Sequence, residues 1–299
     1  MLVGETAALT AAFLWASSSI VYRFLGQSIP PLSLNILKGF VALALIQLTL
    51  TLTSQSATWY LEAWRIWLLT ASGIVGIGLG DTAYFFALNC LGARRTLVLE
   101  TLAPPLGALL AFIFVGEIVA PVAILGIAIT LAGVIWVIGE QTVTERIKDR
   151  RGIVWAVAAA VAQAGGAVMS RIALLDSDTS PLASSLIRIG AGVVIAIAIS
   201  FLPAFTNERI FQQKLLSFRL PPRTLGIVAL AAVGSTYLGI WLQQISLKYT
   251  STGIAQTLLA TSPLFVIPLS MIMGEKVSLR AIFGVCVAVM GISLLFISF

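Results

Sequence analysis

Two halves of the chain repeat one pattern of proline, glycine and charged residues. Pro105 precedes Glu117 by the same interval that separates Pro263 from Glu275. Further matched pairs recur along both halves: Gly4 and Gly152, Arg23 and Arg171, Pro31 and Pro181, Lys38 and Arg188, Gly126 and Gly284, and Gly133 and Gly291. Self-similarity over half of a chain predicts a fold that is built by duplication.

The composition places the repeated units in a membrane. The chain is 59% hydrophobic and only 10% charged, whereas soluble domains carry about 25% charged residues. The net charge of +6 resides in loops between apolar runs, so it does not indicate nucleic-acid binding. The absence of histidine excludes imidazole proton relays and histidine metal ligands, and no metal site or cofactor is expected.

Ten apolar runs have about the length that a membrane-spanning helix needs, which is roughly 20 residues. The predicted spans are 5–23, 32–53, 66–90, 94–115, 121–139, 152–171, 181–202, 224–247, 251–273 and 279–298. Backbone polar groups in lipid must be satisfied within the segment, so these runs are expected to be helices. The N-terminal residues lack the basic region of a secretory signal, and the first run is expected to remain as a helix.

Five spans in each half predict an inverted repeat. The first repeat is assigned to residues 1–140 and the second to 152–299, joined by a charged linker at 141–151. Because five is odd, the second half must begin on the opposite side of the membrane. The fold class is therefore an all-α membrane protein of ten transmembrane helices, with two five-helix repeats related by a pseudo-two-fold axis in the membrane plane.

Lysine and arginine are distributed unequally between the two sides. The side that holds the predicted N-terminus carries three of them, and the opposite side carries thirteen. The three are Arg65, Arg171 and Lys248. By the positive-inside rule, this asymmetry places both termini outside the cytoplasm.

The motifs resemble those of the drug/metabolite transporter superfamily, with two EamA-type repeats. The resemblance rests on the segment from Phe13 to Ser18, on Pro31 followed by Lys38, and on the run from Gly80 to Glu117. The second half repeats the end of that run from Ser246 to Glu275. The resemblance implies a ten-helix secondary transporter of small organic solutes in the bacterial inner membrane. It also implies cytoplasmic termini, in opposition to the charge count.

Four ionisable residues lie inside predicted spans and away from the span ends: Lys38, Asp81, Glu100 and Arg188. Each costs about 2.5–3.5 kcal/mol or more at mid-membrane, so each is expected to face protein or a water-filled cavity. The two basic side chains can alternatively snorkel toward the interface, and the acids can simply pair with them. Acids are too short to snorkel well, which favours a role for Asp81 and Glu100 in solute binding or proton coupling.

Polar and aromatic side chains on shared helical faces extend the candidate site. They are Trp15, Ser18 and Tyr22 on the first span, Tyr84 beside Asp81 on the third, Gln163 on the sixth, Tyr237, Trp241 and Gln244 on the eighth, and Gln256 on the ninth. A cavity ringed by aromatic and amide groups suits a small amphipathic solute such as an amino acid or sugar. The alternative for each residue is helix–helix hydrogen bonding.

Four glycines at Gly73, Gly76, Gly78 and Gly80 superficially resemble a nucleotide-binding loop. No predicted strand precedes them and no Lys-Ser/Thr pair follows, which argues against phosphate binding. Gly76 and Gly80 instead form a small-xxx-small face that predicts close helix packing.

The sequence thus favours a membrane carrier that exports or exchanges a small metabolite by alternating access, with protons as the candidate coupling ion. An intramembrane enzyme is the first alternative, although neither a histidine nor a G-x-S-x-G motif supports it. A non-transporting scaffold or sensor is the second alternative, although no soluble domain is present to pass on a signal.

Overall fold

The computed structural model describes residues 2–26, 29–53, 61–138, 150–201, 221–262, 264–265, 268–269 and 279–297. Within these ranges all regular structure is helical. The elements are α1 (Val3–Leu25), α2 (Pro31–Leu52), α3 (Ala63–Ser72), a first π segment (Gly73–Gly80), α4 (Asp81–Glu100), α5 (Ala103–Val115), α6 (Pro121–Ile138), α7 (Arg150–Leu174), α8 (Pro181–Ser200), α9 (Pro222–Ala232), a second π segment (Val233–Leu238), α10 (Gly239–Tyr249), α11 (Thr252–Leu259) and α12 (Leu279–Ile297).

These elements form the ten predicted spans, because each π segment continues its flanking helices into one span. Five helical stretches are long and apolar enough to cross a membrane, namely Pro31–Leu52, Ala63–Leu91, Arg150–Leu174, Pro181–Ser200 and Pro222–Tyr249. Shorter apolar helices complete the bundle. Most of the predicted linker, residues 141–149, and part of the predicted ninth span lie outside the described residues.

The boundary between the third and fourth spans differs from the prediction. A break was expected at Gly92, but helical hydrogen bonding continues to Glu100, and the turn falls at Thr101–Leu102, just before Pro104. Asp81 and Glu100 nevertheless lie close enough to interact electrostatically. A straight helix would hold them about 28 Å apart at 1.5 Å per residue. Asp81 and Glu100 also line a common cavity, so the chain between them does not follow one straight helix.

The last helices of the two repeats cross in antiparallel fashion. A Cβ atom added to Gly133 would lie 2.8 Å from that of Ala288, and one added to Gly291 would overlap Thr130. A step of three residues back along α6, from Gly133 to Thr130, thus matches a step of three residues forward along α12, from Ala288 to Gly291. Gly133 and Gly291 are repeat equivalents, as are Thr130 and Ala288. A two-fold axis in the membrane plane produces this reciprocity, so the repeats are inverted.

Other helices also exchange equivalent contacts between the halves. Gly76 in the first π segment packs on Gly166 of α7, and Gly234 in the second packs on Ser18 of α1. An added Cβ would meet its neighbour at 3.0 Å at Gly166 and also at Gly234. The glycines near Gly76 therefore serve close helix packing, as predicted. Each half completes its core against the other half.

The two π segments occupy equivalent places in the repeats and create equivalent backbone acceptors. The Asn35 amide donates to the carbonyl of Ile77 at 3.0 Å. The Trp15 indole donates to the carbonyl of Ser235, the repeat equivalent of Ile77, at 2.8 Å. A π turn displaces carbonyls from the regular helical ladder and is often found at functional sites. Apart from their glycines, these segments contain no residue pattern that indicated a π turn.

Candidate functional site: a central polar cavity

A cavity lies between the two repeats and encloses about 1250 Å³, including its opening to solvent. Its walls come from the first four spans of the first repeat and from the sixth to ninth spans. Nine of the predicted site residues line it: Trp15, Tyr22, Lys38, Asp81, Tyr84, Glu100, Gln163, Arg188 and Gln256. All four ionisable residues predicted inside spans therefore share one cavity.

Four predicted site residues lie elsewhere and join helices to one another. Ser18 donates to the carbonyl of Ala231 at 3.2 Å. The Tyr237 hydroxyl lies 2.7 Å from that of Thr49, and the Trp241 ring centroid is 6.1 Å from that of Tyr237.

Gln244, the fourth of these residues, is fully buried and accepts a hydrogen bond from Ser184 at 2.7 Å. Gln243 faces the cavity in its place. Ile240 and Gln243, which are three residues apart on α10, line the cavity. Helical periodicity groups residues into faces, but it does not show which face of α10 meets the cavity.

Lys38, Asp81 and Gln163 form a connected polar group on one wall. The Lys38 ammonium pairs with one Asp81 carboxylate oxygen, and the Gln163 amide donates to the other oxygen at 3.2 Å. The Lys38 nitrogen also lies 5.1 Å from the ring centroid of Phe85, within cation–π range. Asp81 is therefore both neutralised and hydrogen-bonded in this state.

Arg188 is the repeat equivalent of Lys38 but has different partners. Its guanidinium donates through Nη1 to Gln243 Oε1 at 3.2 Å, while Nε has no hydrogen-bond partner among the described residues. The equivalent of Asp81 is Gly239, so the second repeat offers no matching acid there. The duplication has thus kept a cation in both halves and an acid in one.

Glu100 contributes a second carboxylate to the cavity. Its Oε1 atom is buried and finds no hydrogen-bond donor in the described part of the chain. Asp81 and Tyr84 lie within electrostatic range of it. A buried carboxylate oxygen without a hydrogen-bond donor is costly when the group is ionised.

Tyrosine, hydroxyl and amide groups add to the polar lining of the cavity. The Tyr22 hydroxyl lies 2.7 Å from Ser235 Oγ, and the Gln256 amide donates to the carbonyl of Gln163 at 3.3 Å. Ser235 and Gln243 are cavity residues that the sequence reasoning missed. The alignment of the two repeats could have indicated Ser235, because Ser235 is the repeat equivalent of Ile77. Ile77 precedes Asp81 by four residues and so lies on the same helical face.

A terminal clamp, defined as Glu117 with Arg171, ties together helix ends on the N-terminal side of the bundle. Arg171 Nε lies 2.6 Å from Glu117 Oε1, and its Nη1 donates to the carbonyls of Leu247 and Lys248 at 2.9 and 2.8 Å. Glu117 Oε2 accepts from the backbone N–H of Thr252 at 2.9 Å. The clamp therefore caps the end of α10 and the start of α11 together.

A bundle of inverted apolar repeats around a polar cavity defines a multi-pass membrane transporter. The chain belongs to the EamA-like transporter family, which matches residues 2–139 and again 150–297. This assignment agrees with the resemblance to the drug/metabolite transporter superfamily that the sequence motifs indicated. Members of the family move small solutes across a lipid bilayer and are not enzymes.

Two further comparisons bear on the fold. No curated protein matches the chain. A solved crystal structure superposes with a TM-score of 0.76 at 19% identity, covering 97% of this chain and 95% of its own. At that identity the likeness concerns the fold alone, and it supports the ten-helix arrangement.

Proposed function

We propose that the protein is a secondary transporter that carries a small organic metabolite through the central cavity by alternating access. The observation that carries this proposal is the single cavity between inverted repeats that gathers Lys38, Asp81, Glu100 and Arg188. Ionisable groups at membrane depth are costly and are found along solute or ion pathways. The repeats at 1–140 and 152–299 would rock around this site, with 141–151 as their connector.

The cavity is proposed to face the lysine- and arginine-rich side. Its lining includes Tyr22, Leu88 and Glu100, which lie near the ends of spans on that side. The terminal clamp lies at the other end of the bundle and ties α10 to α11. If the basic side is the cytoplasm of a bacterial inner membrane, this state is open inward and suits loading for export.

Asp81 is proposed to couple solute movement to protons, with Glu100 as the second candidate. Its carboxylate is held by Lys38 and Gln163 at the cavity wall. Protonation would break the attraction to Lys38 and free that wall to move. A carboxylate with one cationic partner inside the cavity can therefore link proton binding to the state of the bundle.

Flux through reconstituted protein tests this function. Purified wild type and Asp81→Asn are placed in liposomes with an imposed pH gradient, and uptake is followed for a panel of amino acids, sugars and nucleosides. We expect saturable uptake of one class by wild type, and loss or uncoupling of that uptake in Asp81→Asn. Asn89→Asp, on the exposed surface of α4, is the matched control and should transport normally.

Three results would contradict the proposal or part of it. An absence of saturable flux for every solute class would favour the scaffold alternative. Wild-type rates in Asp81→Asn across a pH series would remove Asp81 from the mechanism and leave Glu100 as the acid to test. Product formed from a lipid-linked substrate would instead favour the enzyme alternative.

A further inference from the structure

Arg188 is a buried cation whose donors are incompletely used. Only 1% of the residue is exposed, yet it lines the central cavity. Gln243 Oε1 takes one guanidinium hydrogen, and Nε has no hydrogen-bond partner among the described residues. A buried guanidinium with an unused donor is unstable relative to one that binds an anion, because its hydration has been lost without full replacement.

Asp81 does not supply the missing anion. It lies within electrostatic range of Arg188, but its two oxygens are engaged by Lys38 and Gln163. The repeat position equivalent to Asp81 is Gly239, where an added Cβ would overlap the Trp15 indole. That position therefore has no room for an acid, and the cation of the second repeat is left for a ligand.

We propose that Arg188 binds a carboxylate group of the transported solute inside the central cavity. The inference rests on the proposed transport function and narrows its substrate class to small carboxylates. Arginine suits this role because its planar fork offers parallel N–H groups to a carboxylate. Much of the remaining wall is apolar, including Ile240, Leu259 and Phe85, so the solute combines an acidic end with an apolar body.

Thermal unfolding of the purified full-length protein tests the site without requiring transport. The probes are matched pairs: N-acetyl-leucine and its primary amide, N-acetyl-phenylalanine and its primary amide, and benzoate and benzamide. A ligand that binds the folded state raises the unfolding temperature. We expect at least one carboxylate to stabilise wild type while its amide does not, since only the carboxylate can satisfy Arg188.

Variants at the site sharpen the test. Arg188→Gln should weaken carboxylate binding about 10- to 100-fold, the usual worth of a charged hydrogen-bonded contact, and Arg188→Lys should weaken it less. Gln243→Glu places a fixed carboxylate beside the guanidinium and should abolish the carboxylate-specific shift in a folded protein. Asn89→Asp adds the same charge on the exposed surface of α4 and should leave the shift unchanged.

Three outcomes would overturn the proposal: no carboxylate stabilises wild type, each amide stabilises as well as its acid, or Gln243→Glu keeps the full shift. If Arg188→Gln does not fold, the paired probes and Gln243→Glu still decide the question. Carboxylate binding without flux in liposomes would contradict the transport function and support the carboxylate site. Flux of uncharged solutes without carboxylate binding would support the transport function and contradict the carboxylate site.

Discussion

At the scale of residues, the ion pair between Lys38 and Asp81 is expected to matter most for folding when only one partner is removed. Both side chains are largely buried, and removing one partner of a buried pair typically costs about 3–5 kcal/mol because the other charge is left uncompensated. Lys38→Met should therefore lower the unfolding temperature sharply. The double variant Lys38→Met with Asp81→Asn should recover much of that loss while remaining inactive in transport.

A double-mutant cycle measured by thermal unfolding in detergent checks this expectation. Glu62→Gln is a useful control, because Glu62 is an exposed acid that pairs with Arg65, and such pairs contribute about 0–1 kcal/mol. Additive effects at Lys38 and Asp81 would mean that the two side chains are independent in solution.

Residue types predicted the cavity better than residue positions did. Charges inside apolar runs stand out in any sequence because lipid makes them costly, which is why Lys38, Asp81, Glu100 and Arg188 were all found. Gln243 was missed because helical periodicity groups residues into faces without showing which face of α10 meets the cavity.

At the scale of helices, the terminal clamp is expected to stabilise the state in which its side of the bundle is closed. Glu117 follows Gly116, whose φ of 75° ends α5, and reaches the first N–H of α11. Glu117→Gln keeps the shape of the side chain but weakens both the ion pair and the cap. We expect a loss of about 1–3 kcal/mol, typical of a hydrogen bond to a charged group.

The matching measurement combines thermal unfolding with cysteine accessibility near Ser251. Glu117→Gln should lower the unfolding temperature and raise labelling of Ser251→Cys by a membrane-impermeant maleimide. Glu62→Gln, which changes an exposed acid on the same side, serves as the control. Unchanged labelling in Glu117→Gln would show that the clamp is a helix cap without a gating role.

Helix boundaries were predictable where proline or glycine marks them and uncertain elsewhere. Pro31, Pro121 and Pro181 each open a helix at the predicted place, since proline suits the first turn of a helix. The stretch after Gly92 contains no proline before Pro104, and the helix runs on to Glu100. Local sequence could not show where this run ends, because neither proline nor glycine marks the end.

At the scale of the whole molecule, the inverted repeat was predictable because matched residues and an odd number of spans are both visible in the sequence. The contacts by which the two halves pack together were less predictable from the sequence. Reciprocal contacts such as Gly76 with Gly166 and Gly234 with Ser18 require knowledge of which spans are neighbours. One sequence provides spacing along the chain but not the order of helices around the bundle.

Orientation in the membrane is the remaining prediction for the whole molecule. It rests on the distribution of lysine and arginine between the two sides. The three basic residues on the sparsely charged side all donate to backbone carbonyls. Arg65 donates to Ala173 and Leu175, and Lys248 donates to Thr179. Arg171 lies in the terminal clamp and caps α10 in the same way. These three side chains are engaged in structure, and the charge count stays at thirteen to three.

We therefore expect extracytoplasmic termini. A C-terminal fluorescent-protein fusion expressed in a bacterium should be dark, and a C-terminal alkaline phosphatase fusion should be active, because the first folds properly only in the cytoplasm and the second only outside it. Fluorescent protein inserted into the charged linker at 141–149 should glow and acts as the control. A bright C-terminal fusion would reverse the assignment and place the cavity mouth outside, so that the same state would load solute for uptake instead of export.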